Sequence, residues 1–372
     1  MNAPLTIILT GALVAASCSL VGTFLVLRKM ALLGDAISHA VLPGIVIAFL
    51  FTNSLASFPA LVGASVVGIA TVFLVEALHR SRRLYEDTSI GVVFPALFSL
   101  GVILVSVYAG QVHIDTDCVL YGEIGLSNLD EWIVGGKSLG PRSIWVTGGV
   151  MLFDLLFVLA FYKELKLVSF DPDLAASIGY SPMLVHYLLM TVVSITVVAS
   201  FESVGSILVV AMLVVPPAAA YLLSAQLINM ILIAIAIAVA SSAAGYAFAR
   251  SVDCSIAGAM AFSAGLFFLA AFFASPRNGL VARIVLRWRL RERLTRQLLL
   301  LHLKARVTVE EARTLQPEDL VVRFGWSRSR IDRAVRRLRA NGLIESSGGR
   351  LWLTQAGKAA LDREGTAVLA HR

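Results

Sequence analysis

Asp35 and His39 stand four positions apart in the stretch GDAISHAVLPGIVIAFL, residues 34–50. On a helix that spacing puts a carboxylate and an imidazole on one face, close enough to share a cation. The stretch is otherwise apolar, and an ionisable pair inside a membrane is costly enough to suggest function by default. The same residues also fit a structural role, with Asp35 capping the helix at the membrane surface and His39 packed against a neighbouring span. A third carboxylate, Glu202, stands at the outer end of a later apolar segment that carries Gly205, Pro216 and Pro217. Proline frees a carbonyl one turn earlier, and broken helices of this kind border transport pathways. Pro43 and Pro95 give similar kinks in two other segments, although such kinks also serve packing alone.

Chemistry of another kind lies in KELKLVSFDPDLAASIGYSP, residues 163–182. Asp171 is suited to cap a helix, with Pro172 at its first position, Asp173, Leu174 and Ala175 in its body, and Gly179 as its stop. A short capped helix between two spans is suited to docking in a groove of another protein. It also fits an ordinary interfacial turn.

These residues need a scaffold that crosses a bilayer, and composition supplies one. At 58% apolar and 15% charged residues, with a mean hydropathy of +0.83, most of this 372-residue chain cannot be a soluble domain. Its apolar runs of about 18 to 22 residues are long enough to span a hydrocarbon core of roughly 30 Å as helices. The expected spans are residues 5–27, 34–51, 58–78, 89–109, 143–161, 183–200, 204–224, 228–248 and 254–274, the seventh open to a break at Pro216-Pro217. The fold class is an all-α polytopic membrane protein of eight or nine transmembrane helices, with a small C-terminal α+β domain. The first segment lacks a basic leader and is expected to be a retained helix. Cys18, Cys118 and Cys254 are scattered, without a C-x-x-C pair, and offer neither a disulfide framework nor a thiolate metal site.

Basic residues set the orientation. Arg28 and Lys29, then His79, Arg80, Arg82 and Arg83, then Lys163 and Lys166, fall on alternate connections that are expected to face the cytoplasm. Arg250, Lys137 and Arg142 lie on the other side. Nine crossings put the N-terminus outside and the C-terminus inside. The outer connection between the fourth and fifth spans carries Asp115, Asp117, Glu123, Asp130 and Glu131 without Lys or Arg, which would concentrate cations at a mouth or simply be solvated. No Walker motif is present, so if ATP drives transport the nucleotide binds another subunit.

The series VGTFLVLRKMALLGDAISHAVLPG, EDTSIGVVFPALFSLGVIL, SFDPDLAASIGY and SVGSILVVAMLVVPPAAAYLL resembles the ABC-type permease family for manganese, zinc and iron uptake, from about residue 11 to residue 274. The resemblance implies a membrane subunit that pairs with a second permease copy, a cytoplasmic ATPase and an extracytoplasmic metal-binding protein in the bacterial cytoplasmic (inner) membrane. It implies that Asp35 and His39 contact the metal in transit and that the helix within Asp171–Tyr180 is where the ATPase docks. Two permease copies would bring two such pairs together as N and O ligands. These suit Mn(II), Fe(II) or Zn(II) without choosing among them. Glu202 is a weaker accessory ligand. The metal is cargo, and no permanently bound cofactor is expected.

The net charge of +7 hides two opposite parts. Residues 277–372 hold 21 Lys/Arg against 9 Asp/Glu, leaving 10 against 15 in residues 1–276. The expected organisation is a permease domain over 1–275, a basic helical linker over 276–315 and a soluble domain over 316–372. A basic tail points to nucleic acid or an anionic membrane surface. In PEDLVVRFGWSRSRIDRAVRRLRANGLIESSGGRLWLTQAGKAAL, residues 317–324 suit one helix, Ser327 the cap of a second with a buried Ile331, Val335 and Leu338 stripe, and 343–345 with 350–353 a hairpin about Gly348-Gly349. That order resembles the winged helix-turn-helix of bacterial regulators, including the metal-dependent iron and manganese repressors, over residues 316–361. It implies that Arg328, Arg330, Arg333, Arg336 and Arg337 face DNA phosphates. Protein contacts with the permease or the ATPase fit the same fold. Two other functions fit parts of the chain: an ion-coupled secondary metal transporter, for which the capped helix has no docking role, and a membrane-anchored transcription regulator, for which one or two spans would suffice.

Overall fold

The computed structural model describes residues 3–52, 57–81, 84–108, 124–126, 131–134, 137–275, 279–307, 325–347 and 350–360. It divides into two compact units, Met1–Gly279 and Leu280–Arg372.

In the first unit the apolar runs fold as helices, because a backbone in lipid must satisfy its own hydrogen bonds. The order is α1 (Ala3–Leu27), α2 (Leu32–Ala40), α3 (Leu42–Thr52), α4 (Ser57–Arg80) and α5 (Glu86–Tyr108), then a 3-10 turn at Ile124–Leu126 and the antiparallel pair β1 (Glu131–Val134) and β2 (Lys137–Pro141). There follow α6 (Arg142–Ala160), α7 (Tyr162–Phe170), α8 (Pro172–Ser177), α9 (Pro182–Val204), α10 (Ser206–Leu223), α11 (Leu227–Val252) and α12 (Ile256–Ala274). Among the described residues nine segments are long and apolar enough to cross a membrane, the second of them built from α2 and α3 together. Val41, between α2 and α3, keeps right-handed helical angles (φ −74°, ψ −18°) and accepts from the Ile45 amide at 3.2 Å, so the span continues past Pro43.

The break left open at Pro216-Pro217 does not occur. Helix α10 runs through both prolines, and the chain turns before it at Gly205, whose φ of +81° suits glycine. Glu202, expected at the head of the seventh span, therefore belongs to the last turn of α9, and its side chain lies outside the described residues. Asp115, Asp117, Glu123 and Asp130 of the outer connection also lie outside them, as does the side chain of Glu131 at the start of β1.

Helix α1 is the central column, buried along most of its length and packed by α6, α9, α10 and α11. Pro217 has no amide hydrogen to offer the carbonyl of Leu213 one turn earlier. That carbonyl abuts Gly22 of α1, where a Cβ would lie 1.9 Å from the oxygen. The Leu213 side chain in turn occupies the space a Cβ on Gly34 would need, its Cδ2 only 2.1 Å away. One residue of α10 thus fixes how closely both α1 and α2 approach.

The second unit contains α13 (Leu280–Val307), α14 (Arg328–Ala340) and the antiparallel strands β3 (Ile344–Ser347) and β4 (Arg350–Leu353), with Ile344 opposite Leu353. Its core joins Leu299, Leu300 and Leu303 of α13 to Ile331, Ala334 and Leu338 of α14 and to Ile344, Leu351 and Leu353 of the hairpin. Helix α13 lies in the stretch expected as a linker and contributes directly to this core. The helix expected over 317–324 lies outside the described residues. Ser327 holds the cap position of α14 by its extended backbone, but its hydroxyl caps no amide and lies 3.4 Å from the Ser329 hydroxyl.

Candidate metal-transit site

Helix α2 is nine residues long, and Leu33, Gly34, Ala36, Ile37 and Ser38 form its buried face. Asp35 and His39 share the half-exposed face, with His39 Nε2 3.5 Å from Asp35 Oδ1. That separation exceeds a good hydrogen bond and leaves both atoms free to turn toward a common cation. Asp35 does not cap α2, because Ala31 holds that position and no side chain bonds there. The imidazole rests on two rings of α5, Phe94 at 5.8 Å and Phe98 edge-on at 6.4 Å. These contacts fix the ring and keep one side of the pair apolar. Among the described residues no group of three or more His, Cys, Asp or Glu gathers into a metal site, so the pair offers two protein donors.

The backbone of α9 carries Glu202 at a different level from this pair. Helices α2, α4 and α9 meet where a Cβ on Gly68 would lie 3.3 Å from both Ile37 and Ser194. Glu202 is eight residues beyond Ser194 on α9, about 12 Å further along the axis at 1.5 Å per residue.

The short helix α8 forms as its residues dictate. Asp171, with φ −149° and ψ 86°, accepts a hydrogen bond at Oδ1 from the Leu174 amide at 2.9 Å, and Pro172 holds the first position. The helix ends where Gly179, at φ +100°, sends its amide to Ala176 while that of Tyr180 reaches Ala175. Ala175 is buried beneath, whereas Leu174, Ile178 and Tyr180 are exposed beside Asp173. An apolar set on a rigid, capped projection is suited to a protein partner.

Asp154 of α6 is a polar group that the residue-by-residue reading passed over. It is fully buried between α1 and α9, accepting hydrogen bonds from Ser17 and from Thr196, whose Oγ1 lies 2.8 and 3.0 Å from its two oxygens. A lone carboxylate in the apolar run VMLFDLLFVLA was the available signal.

In the second unit the five arginines divide. Arg330 donates to Thr295 of α13 from Nε at 2.9 Å and from Nη2 at 2.7 Å, and its guanidinium lies 4.6 Å above the Trp326 ring. Arg337 pairs with Glu292 of α13. Arg333 donates to the Ser329 carbonyl and is exposed, as are Arg328 and Arg336.

Residues 4–275 match the ABC 3 transport family. The chain is 47% identical over 277 residues to the manganese transport system membrane protein MntD of Bacillus subtilis (strain 168), covering 74% of this chain and 94% of that protein. It is 44% identical over 352 residues to the zinc transport system membrane protein TroD of Treponema pallidum (strain Nichols), covering 94% and 96%. A solved structure of PsaBC from Streptococcus pneumoniae in complex with a Fab superposes with a TM-score of 0.62 at 31% identity, over 75% of this chain and 94% of that one.

Proposed function

The chain belongs to the ABC 3 transport family, and from that premise we propose that it carries a divalent transition metal, Mn(II), Zn(II) or Fe(II), through the cytoplasmic membrane. The observation that carries this reading is the 3.5 Å pairing of Asp35 with His39 on one face of a membrane helix whose other face is buried. The manganese and zinc systems named among its relatives support the cargo. Carboxylate and imidazole suit these ions, and the two remaining ligands come from the same pair on a second permease copy, identical or related. Two donors per chain hold an ion weakly, as a site that must release its cargo requires. ATP is hydrolysed on a separate cytoplasmic subunit that docks on α8 through Asp171, Pro172, Asp173, Leu174, Ala175 and Gly179. Its closure moves the spans, giving alternating access. An extracytoplasmic metal-binding protein delivers the ion.

The test is uptake of each metal in cells expressing the whole transporter. With Asp35→Ala or His39→Ala at matched membrane levels, uptake of the cargo metal falls at least about tenfold, the scale on which lost metal contacts are felt. Unchanged uptake rejects the transit role.

For the second unit the reading is a winged helix that meets anionic phosphates through the exposed Arg328, Arg333 and Arg336. Arg330 and Arg337, engaged with α13, contribute to its fold. Full-length protein in detergent should bind duplex DNA with an affinity that falls steeply with salt, and Arg333→Ala/Arg336→Ala should flatten that slope by about two ions. Salt-independent or absent binding rejects DNA and favours a protein partner.

A further inference from the structure

Glu76 of α4 and His186 of α9 form a second carboxylate–imidazole pair. His186 Nε2 lies 3.6 Å from Glu76 Oε2, close to the separation of Asp35 and His39. His186 is only 6% exposed, and its Nε2 has no hydrogen-bond partner. A buried ring nitrogen left in this state forgoes a hydrogen bond that its surroundings normally supply. The other carboxylate oxygen of Glu76 accepts from Arg80 Nε at 2.8 Å, one turn on, where α4 ends in an exposed turn.

The position of this pair relative to the first follows from the helices. Ile37, between Asp35 and His39, shares a layer with Gly68 of α4 and Ser194 of α9. Glu76 is eight residues past Gly68 and His186 eight residues before Ser194, which displaces both in the same direction by about 12 Å. They lie toward Arg28, Arg80 and the turn that joins α8 to α9, on the side that the basic residues mark as cytoplasmic. His186 is only five residues from Ser181, the N-cap of α9, whose hydroxyl accepts from the Leu184 amide.

We infer that Glu76 and His186 form a second station for the transported metal, on the exit side of Asp35 and His39, held closed here by Arg80. The inference deepens the transport reading and rests on it. The donors match those of the first pair and suit the same borderline ions. An arriving divalent ion competes with the Arg80 guanidinium for Glu76, and Arg80, at the end of its helix, swings outward. The positive charges of Arg28 and Arg80 oppose a resident cation and keep its stay short, which suits an exit.

Two measurements test this with the full-length permease. In detergent, Co(II) absorption titrations of the Asp35→Ala/His39→Ala protein retain weak binding of an ion with nitrogen and oxygen ligands, and adding Glu76→Gln/His186→Gln removes it. Identical titrations before and after that addition overturn the inference. In cells with the whole transporter, Glu76→Gln and His186→Gln each cut Mn(II) or Zn(II) uptake about tenfold at matched membrane levels, whereas His186→Cys shifts the preference toward Zn(II), as a softer ligand requires. A purely structural role would lower uptake of both metals equally in His186→Cys, and that result also overturns it. Loss of uptake in the Glu76 and His186 variants with normal uptake in Asp35→Ala would reject the first site and leave the second standing.

Discussion

A carboxylate with access to neither lipid nor water, as Asp154 is, has its energy set by the hydroxyls that reach it. Asp154→Leu strands the Ser17 hydroxyl, while Thr196 retains the Val192 carbonyl 2.9 Å away. Leaving one buried donor unmade costs about 1–3 kcal/mol, so the variant should unfold at a lower temperature in detergent than wild type. Asp154→Asn keeps an acceptor and should lose less. Equal losses in the two variants would show that packing, not hydrogen bonding, decides the site. Asp154 also marks where reading residues singly stops. Asp35 and His39 were legible because a four-residue spacing is a local property of a helix. The partners of Asp154 are 137 and 42 residues away, and Glu76 finds His186 only after α4 and α9 pack. The arginines of α14 illustrate the same limit, since no spacing in that helix says that Arg330 and Arg337 turn to α13 while Arg333 and Arg336 stay outside.

Among the elements, the apolar runs and the cap at Asp171 were readable because bilayer thickness and backbone hydrogen bonding act on contiguous residues. Eight or nine spans and the Asp171-capped α8 follow from that alone, and the described residues hold nine such segments. Glu202, read as the outer end of the seventh span, falls in the last turn of α9, because the chain turns only at Gly205, three residues later. Two elements carry testable consequences. A methyl at Gly22 would meet the carbonyl of Leu213, a backbone atom that cannot yield as a side chain does. Gly22→Ala should therefore destabilise the α1–α10 contact by about 1–3 kcal/mol, the usual cost of overpacking. Gly149→Ala, where a Cβ meets nothing within 4 Å, should be neutral or slightly stabilising by its helix propensity. If thermal denaturation ranks the two variants equally, the close approach is not what holds α1. For α8, Asp171→Ala removes a cap worth about 1 kcal/mol. In six residues that loss frays the whole helix, so uptake should fall while Co(II) binding by the permease stays unchanged. A parallel loss of binding would make α8 part of the scaffold and not of the coupling.

At the scale of the molecule, the question is whether the membrane unit needs the second unit to fold and to transport. Each unit has its own core, one centred on α1 and the other on Leu299, Leu303, Ile331 and Leu338. The charge separates in the same way, with the excess of Lys and Arg confined to residues 277–372. Relatives differ here too. The manganese system protein is matched over 94% of its length by 277 residues, which leaves little room for a second unit of this size. The zinc system protein is matched along 94% of this chain, so its likeness extends well into the second unit. The membrane unit therefore packs around a core of its own, distinct from that of the second unit. A chain ending at Gly279 should reach the membrane at normal levels and keep most of its metal uptake in cells with the whole transporter. It should lose any salt-dependent DNA binding, because Arg328, Arg333 and Arg336 go with the deleted unit. Abolished uptake at an unchanged membrane level would mean that the second unit takes part in the transport cycle itself, and its arginine-bearing helix would then be sought at the ATPase instead of at DNA.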